Sequence, residues 1–143
     1  MELRGMYVFT PAPGRTWGLT YETLAARLRE RDPRETIRLD RGRPDREACL
    51  HFGITLGAAT LEGKALLSPE GVSVADCSPR SAAAFAIWLR THVVPRPAPI
   101  TFNTEWGLDA DLPDTPLPRG HHPQLVAAFR THLTTATRLT AHA

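Results

Sequence analysis

The sequence predicts an α+β fold: a single domain over residues 1–143, with a mainly antiparallel sheet of about five or six strands and three helices, two packed on one face. Three observations carry this expectation. The periodicities run strand, helix, several strands, helix, strand, helix, with no βαβ alternation and no internal repeat. Leu50, Phe52, Ile54 and Leu56 alternate with Cys49, His51, Gly53 and Thr55, which puts one face of a strand in a core and leaves the other small and polar. Finally, 143 residues with 42% apolar side chains bury enough surface to need neither a cofactor nor a structural metal.

The elements follow in order. Met6–Phe9 is a short β-prone run stopped by Pro11, Pro13 and Gly14. Thr20 can cap a helix in which Tyr21, Leu24, Ala25 and Leu28 recur at i, i+3, i+4 and i+7, and Asp32-Pro33 ends it. Thr36–Leu39 is a second strand, followed by a charged loop at 40–48 with no apolar anchor and expected mobility. After the central strand the extended pattern continues through Gly57–Leu61 and Gly63–Leu67, with a turn expected near Glu62-Gly63. Ser68-Pro69-Glu70-Gly71 is a β-turn sequence, and Val72–Asp76 returns as a hairpin partner. Ser78-Pro79 opens a second helix, apolar through Ala82, Phe85, Ala86, Leu89 and Val93 and again at Ile87 and Trp88, hence largely buried. Pro95, Pro97 and Pro99 lead to a last strand with Ile100, Phe102, Thr104 and Trp106 facing one way. A long acidic, proline-rich loop spans 107–122. Pro123 starts a third helix through Val126, Phe129 and Leu133, and its Thr-rich tail, 135–143, is expected to fray.

Charge narrows the function classes. The net charge is +2, and the first 48 residues hold ten arginines against eight acids that alternate with them. A nucleic-acid reader shows a one-signed basic stripe with interleaved aromatics, so nucleic acid is not an expected partner. No apolar run approaches the roughly 20 residues of a membrane span, and MELRGMYVFT lacks the layout of a secretory leader. A cytoplasmic protein with no membrane partner is the expectation. Cys49 and Cys77 show no CxxC pattern and read as free thiols. The common nucleotide and hydrolase signatures, GxxxxGK, GxGxxG, HExxH and GxSxG, are missing.

Three constellations remain. Asp76-Cys77-Ser78 stands at a strand-to-helix junction, where a helix dipole could activate the thiol, although a packed cysteine beside a cap explains the same letters. The long loop carries Glu105, Asp109, Asp111 and Asp114 ahead of His121 and His122; Asp109, Asp111, His121 and His122 are candidate cation ligands, and a solvated acidic loop before a helix entry is the plainer alternative. The polar row of the central strand offers Cys49 and His51, with His51 as its general base; a solvent-facing sheet surface gives the same row. Glu105 could share that face if its strand is a neighbour.

Two function classes follow. The leading expectation is a small protein-binding module, in its sharpest form an inhibitor or immunity-type protein that neutralises a toxin enzyme, binding through Glu105, Trp106, Asp109, Asp111 and Asp114 with Trp17 as a second exposed anchor. The alternative is a small enzyme or small-molecule-binding domain using His51, Asp76 or Cys77, and Glu105. A further alternative is a self-associating subunit, a homodimer joined through the polar sheet face or the Trp106 loop.

Overall fold

Residues 2–141 are described, in a computed structural model. Seven strands form one sheet in the order β2-β3-β4-β5-β1-β6-β7, each antiparallel to its neighbours. They are β1 (Gly5–Pro11), β2 (Ile37–Asp40), β3 (Cys49–Leu56), β4 (Ala59–Leu67), β5 (Glu70–Cys77), β6 (Ile100–Thr104) and β7 (Thr115–Pro116), with helices α1 (Tyr21–Arg31), α2 (Pro79–His92), α3 (Glu105–Asp109) and α4 (His122–Ala141). The fold is α+β as expected, with a larger sheet and one more helix. β1 joins the two parts of the sheet: it pairs with β5 on one side and with β6, almost a hundred residues away, on the other. Its inward side chains, Tyr7 and Phe9, are fully buried, which fits a strand with neighbours on both edges.

The core lies between one face of this sheet and α1, α2 and α4. Leu24 and Leu28 of α1, Phe85 and Leu89 of α2 and Leu125 and Phe129 of α4 join Phe9, Phe52, Ile54 and Phe102 in one apolar cluster. Phe85 stacks near-parallel on Phe52 at 6.1 Å, which seats α2 over β3. Phe129 lies 5.1 Å from Tyr7 and 4.8 Å from Phe102, which seats α4 over β1 and β6. Helix starts obey their caps: Thr20 and Thr23 form a reciprocal capping box on α1, and Ser78 accepts from the Ser81 N–H at 3.2 Å on α2, with Pro79 in the first turn. No helix among the described residues is long and apolar enough to cross a membrane.

Several local expectations are corrected. No turn occurs at Glu62-Gly63: β4 runs unbroken, and the chain reverses at Gly57, where φ is +63°. Gly63 serves packing instead, because a Cβ there would overlap the Phe52 ring lying against it. Trp17 is buried, with its indole N–H donating to the Pro99 carbonyl at 3.2 Å, so it is no exposed anchor. β6 ends at Thr104, whose hydroxyl accepts the Gly107 N–H at 3.0 Å and thereby starts α3; Trp106 belongs to that helix and not to the strand. The 107–122 stretch is therefore not one loop, since it holds the end of α3 and all of β7. Loop 40–48 carries an antiparallel bridge between Arg43 and Arg46. The Thr-rich tail continues α4 to Ala141: Ala136 is buried, and the hydroxyls of Thr134, Thr137 and Thr140 bond carbonyls one turn back. Residues 142 and 143 of that expected frayed segment, like Met1, lie outside the described residues.

Candidate functional site

Among the described residues, Asp40, Cys49 and His51 gather at the β2–β3 edge, in register with the polar row of β3. Antiparallel pairing sets Asp40 opposite Cys49 and Arg38 opposite His51, and the two-residue strand period returns Cys49 and His51 to the same side. Cys49 Sγ is 3.2 Å from His51 Nε2. The Asp40 carboxylate completes the group, with one ligand-type atom of each residue within 4.8 Å of the others. Both Asp40 oxygens have a partner: Oδ1 accepts the Gly42 N–H at 3.0 Å, and Arg46 approaches Oδ2 at 3.0 Å. The Gly42 N–H is the main reason its carboxyl sits below the usual range; Arg46, Arg38 and His51 add to this against a desolvation cost. Cys49 is buried, while His51 and Asp40 are half-buried, so the cluster opens to solvent on one side.

His51, Cys77 and Glu105 do not form a common site. The row containing His51 continues through Lys64 and Ser73, whereas Cys77 lies four residues further along β5 and turns into the core. Burial pushes the Cys77 thiol up to about 11, with Asp76 adding to the shift and Arg4 opposing it. Its S–H donates to the Ala75 carbonyl at 3.4 Å. A fully buried, protonated thiol is a packed residue, and the expectation of a dipole-activated nucleophile is corrected accordingly. Asp76 is exposed at φ +51° and faces Arg4, whose Nε is 3.3 Å from Oδ1. Glu105 bonds backbone: its Oε1 accepts the Met6 N–H at 2.8 Å, where the β1–β5 register shifts between Gly5 and Tyr7.

The expected acidic residues are all exposed but differ in their bonds. Asp114 accepts from the Asn103 side-chain amide, which donates to it at 3.0 Å and to the Leu112 carbonyl at 3.1 Å. Trp106 is half-buried against Gly5, where a Cβ would strike both its ring and the Glu105 carboxylate. Asp109 and Asp111 remain exposed, in no ion pair among the described residues, and Leu108 beside them is 48% exposed. Asp109, Asp111, His121 and His122, the candidate cation ligands of the loop, are not brought together at ligand spacing among the described residues. The His122 ring bonds the Arg80 carbonyl at 3.0 Å, and the group gathered at metal-ligand spacing among the described residues is Asp40, Cys49 and His51 instead.

Compared with protein-family models, curated proteins and solved structures, the chain matches none of them.

Four features are not evident from the sequence alone. Asp40 falls at the start of the charged 40–48 segment, yet an aspartate spaced D-x8-C-x-H across a strand–loop–strand segment is the signal that pairs it with Cys49 and His51. Leu108 was masked by its acidic neighbours. A cleft of about 560 Å³ opens between the 94–100 and 116–120 segments, walled by prolines; Arg90 there donates to the Pro118 and Gly120 carbonyls, and Arg96 and Arg119 stand at its rim. Under the β6 edge, buried His132 places Nε2 2.8 Å from the Thr104 hydroxyl, and desolvation depresses its pKa. His132 falls on the α4 core stripe with Phe129, a spacing that was readable.

Proposed function

We propose that this chain is a small cytoplasmic protein-binding module that engages a basic partner through α3 and the turn after it. The observation that carries the reading is Leu108, a large apolar side chain left 48% exposed beside two carboxylates, Asp109 and Asp111, in no ion pair among the described residues. An apolar anchor rimmed by like charges suits a complementary surface: the anchor supplies desolvation, and the charges steer encounter and exclude acidic competitors. Glu105, Trp106 and Asp114 flank the patch in sequence and are tied to the fold: Glu105 by the Met6 N–H, Trp106 by its packing against Gly5 and Asp114 by the Asn103 amide. The form of partner such charge suits best is a toxin enzyme with a basic active site, which this chain would cover as an immunity-type inhibitor.

Immobilised full-length protein and a Leu108→Glu/Asp109→Lys/Asp111→Lys variant test the reading side by side in lysate of the source organism at moderate salt. One stoichiometric basic protein retained by the parent and lost by the variant is expected. Equal retention by both, or capture of only a second copy of this chain, overturns the assignment to α3.

A further inference from the structure

We propose that Asp40, Cys49 and His51 form a binding site for a zinc-class divalent ion, with three protein ligands and a fourth position open to water. The donor set has the right chemistry: a thiolate, an imidazole and a carboxylate are the ligand types that zinc takes, and three of them with one open position is the coordination of reactive rather than purely structural sites. The placement is prepared by the strands. Two ligands share one face of β3 two residues apart, and the third lies directly across the ladder on β2, so the three atoms already sit within 4.8 Å of one another. The close approach of Cys49 Sγ to His51 Nε2, 3.2 Å, is a contact that an ion between them would take over by small side-chain rotations.

Support for the ligands comes from outside the cluster. The Gly42 N–H and Arg46 fix the orientation of the Asp40 carboxylate, the outer-shell arrangement that metal-binding carboxylates use. Beside Cys49, the Tyr21 hydroxyl donates to the Ala48 carbonyl at 2.8 Å and ties this end of β3 to α1. Arg38 and Arg46 oppose a cation; the carboxylate and the thiolate supply the two negative charges that match it, and the ion must share the Asp40 carboxylate with Arg46. Binding replaces the Cys49 S–H bond with an S–metal bond and releases the proton to solvent. The site stands on β2 and β3, at the opposite end of the strand order from β6, which leads into α3, so it does not depend on the protein-binding proposal.

Cobalt(II) titration of the full chain, stripped with chelator, tests the site by absorption spectroscopy. One equivalent per chain is expected to raise a thiolate-to-cobalt charge-transfer band, zinc is expected to abolish it by displacement, and Cys49→Ser is expected to lack it. His51→Gln and Asp40→Asn each should weaken cobalt binding about tenfold or more; they alter half-exposed side chains and keep the test decisive should Cys49→Ser not fold. A parent protein without the band, a band that survives in Cys49→Ser, or unchanged affinity in either other variant overturns the proposal.

Discussion

His51 and His132 sit toward opposite ends of the sheet, each against a small side chain, and their surroundings give them opposite roles. Near the β2 edge, His51 meets the Cys49 thiol on the outer face, half-open to solvent and beside a carboxylate. Near the β7 edge, His132 meets the Thr104 hydroxyl on the helix side, sealed by Phe102 and α3. Burial without a nearby charge favours the neutral imidazole at His132, so that histidine serves as a hydrogen-bonding part of the core. An accessible imidazole with a thiol and a carboxylate within reach is suited to hold a ligand. Histidine by itself does not indicate function; its access to solvent and its neighbours do.

The largest break in this comparison is expected from the helix that seals the β6 end. Phe129→Ala removes the ring that meets Tyr7, Phe9 and Phe102, and is expected to cost about 3–5 kcal/mol in urea unfolding. Thr104→Ala leaves the Gly107 N–H and the His132 ring without their shared partner, at about 1–3 kcal/mol by the same measurement. His51→Gln should change stability by no more than about 0.5 kcal/mol, because its contacts are half-exposed. Equal costs for Thr104→Ala and His51→Gln would erase the distinction between the two ends.

A pH series sharpens it further. The folded pKa of His132 lies below its unfolded value of about 6.5, so the unfolded chain takes up this proton first. Its contribution to stability is complete above the unfolded pKa and is lost as pH falls through that value towards the lowered folded one. The urea midpoint of the parent should therefore drop more steeply below about pH 6.5 than that of His132→Gln. Superimposable profiles would show that His132 has no such linkage.

Strand alternation and helix periodicity made the sheet class, α1, α2 and the start of α4 legible, because each leaves its imprint on consecutive residues. Gly63 misled as a turn signal because its cause is a ring from the neighbouring strand, and Trp17 misled because its burial depends on Pro99, far along the chain. The polar row of β3 was visible, with Cys49 and His51 in it, but not the third member on β2. That member needed the register of a hairpin whose loop carries no turn motif of known length. The α3 surface was half legible: its charge shows in the letters, while Asn103 and Met6 claim two of its carboxylates only after folding.

β7 is only Thr115–Pro116, with further prolines at 113 and 118. Proline has no N–H to offer a visiting strand, so this open border cannot template growth of the sheet into a neighbouring molecule. At the other border β2 has four residues, charged at Arg38 and Asp40, and is equally poor as a seed. A sheet of seven strands with two such short, charged or proline-bearing borders gives a visiting strand little to pair with.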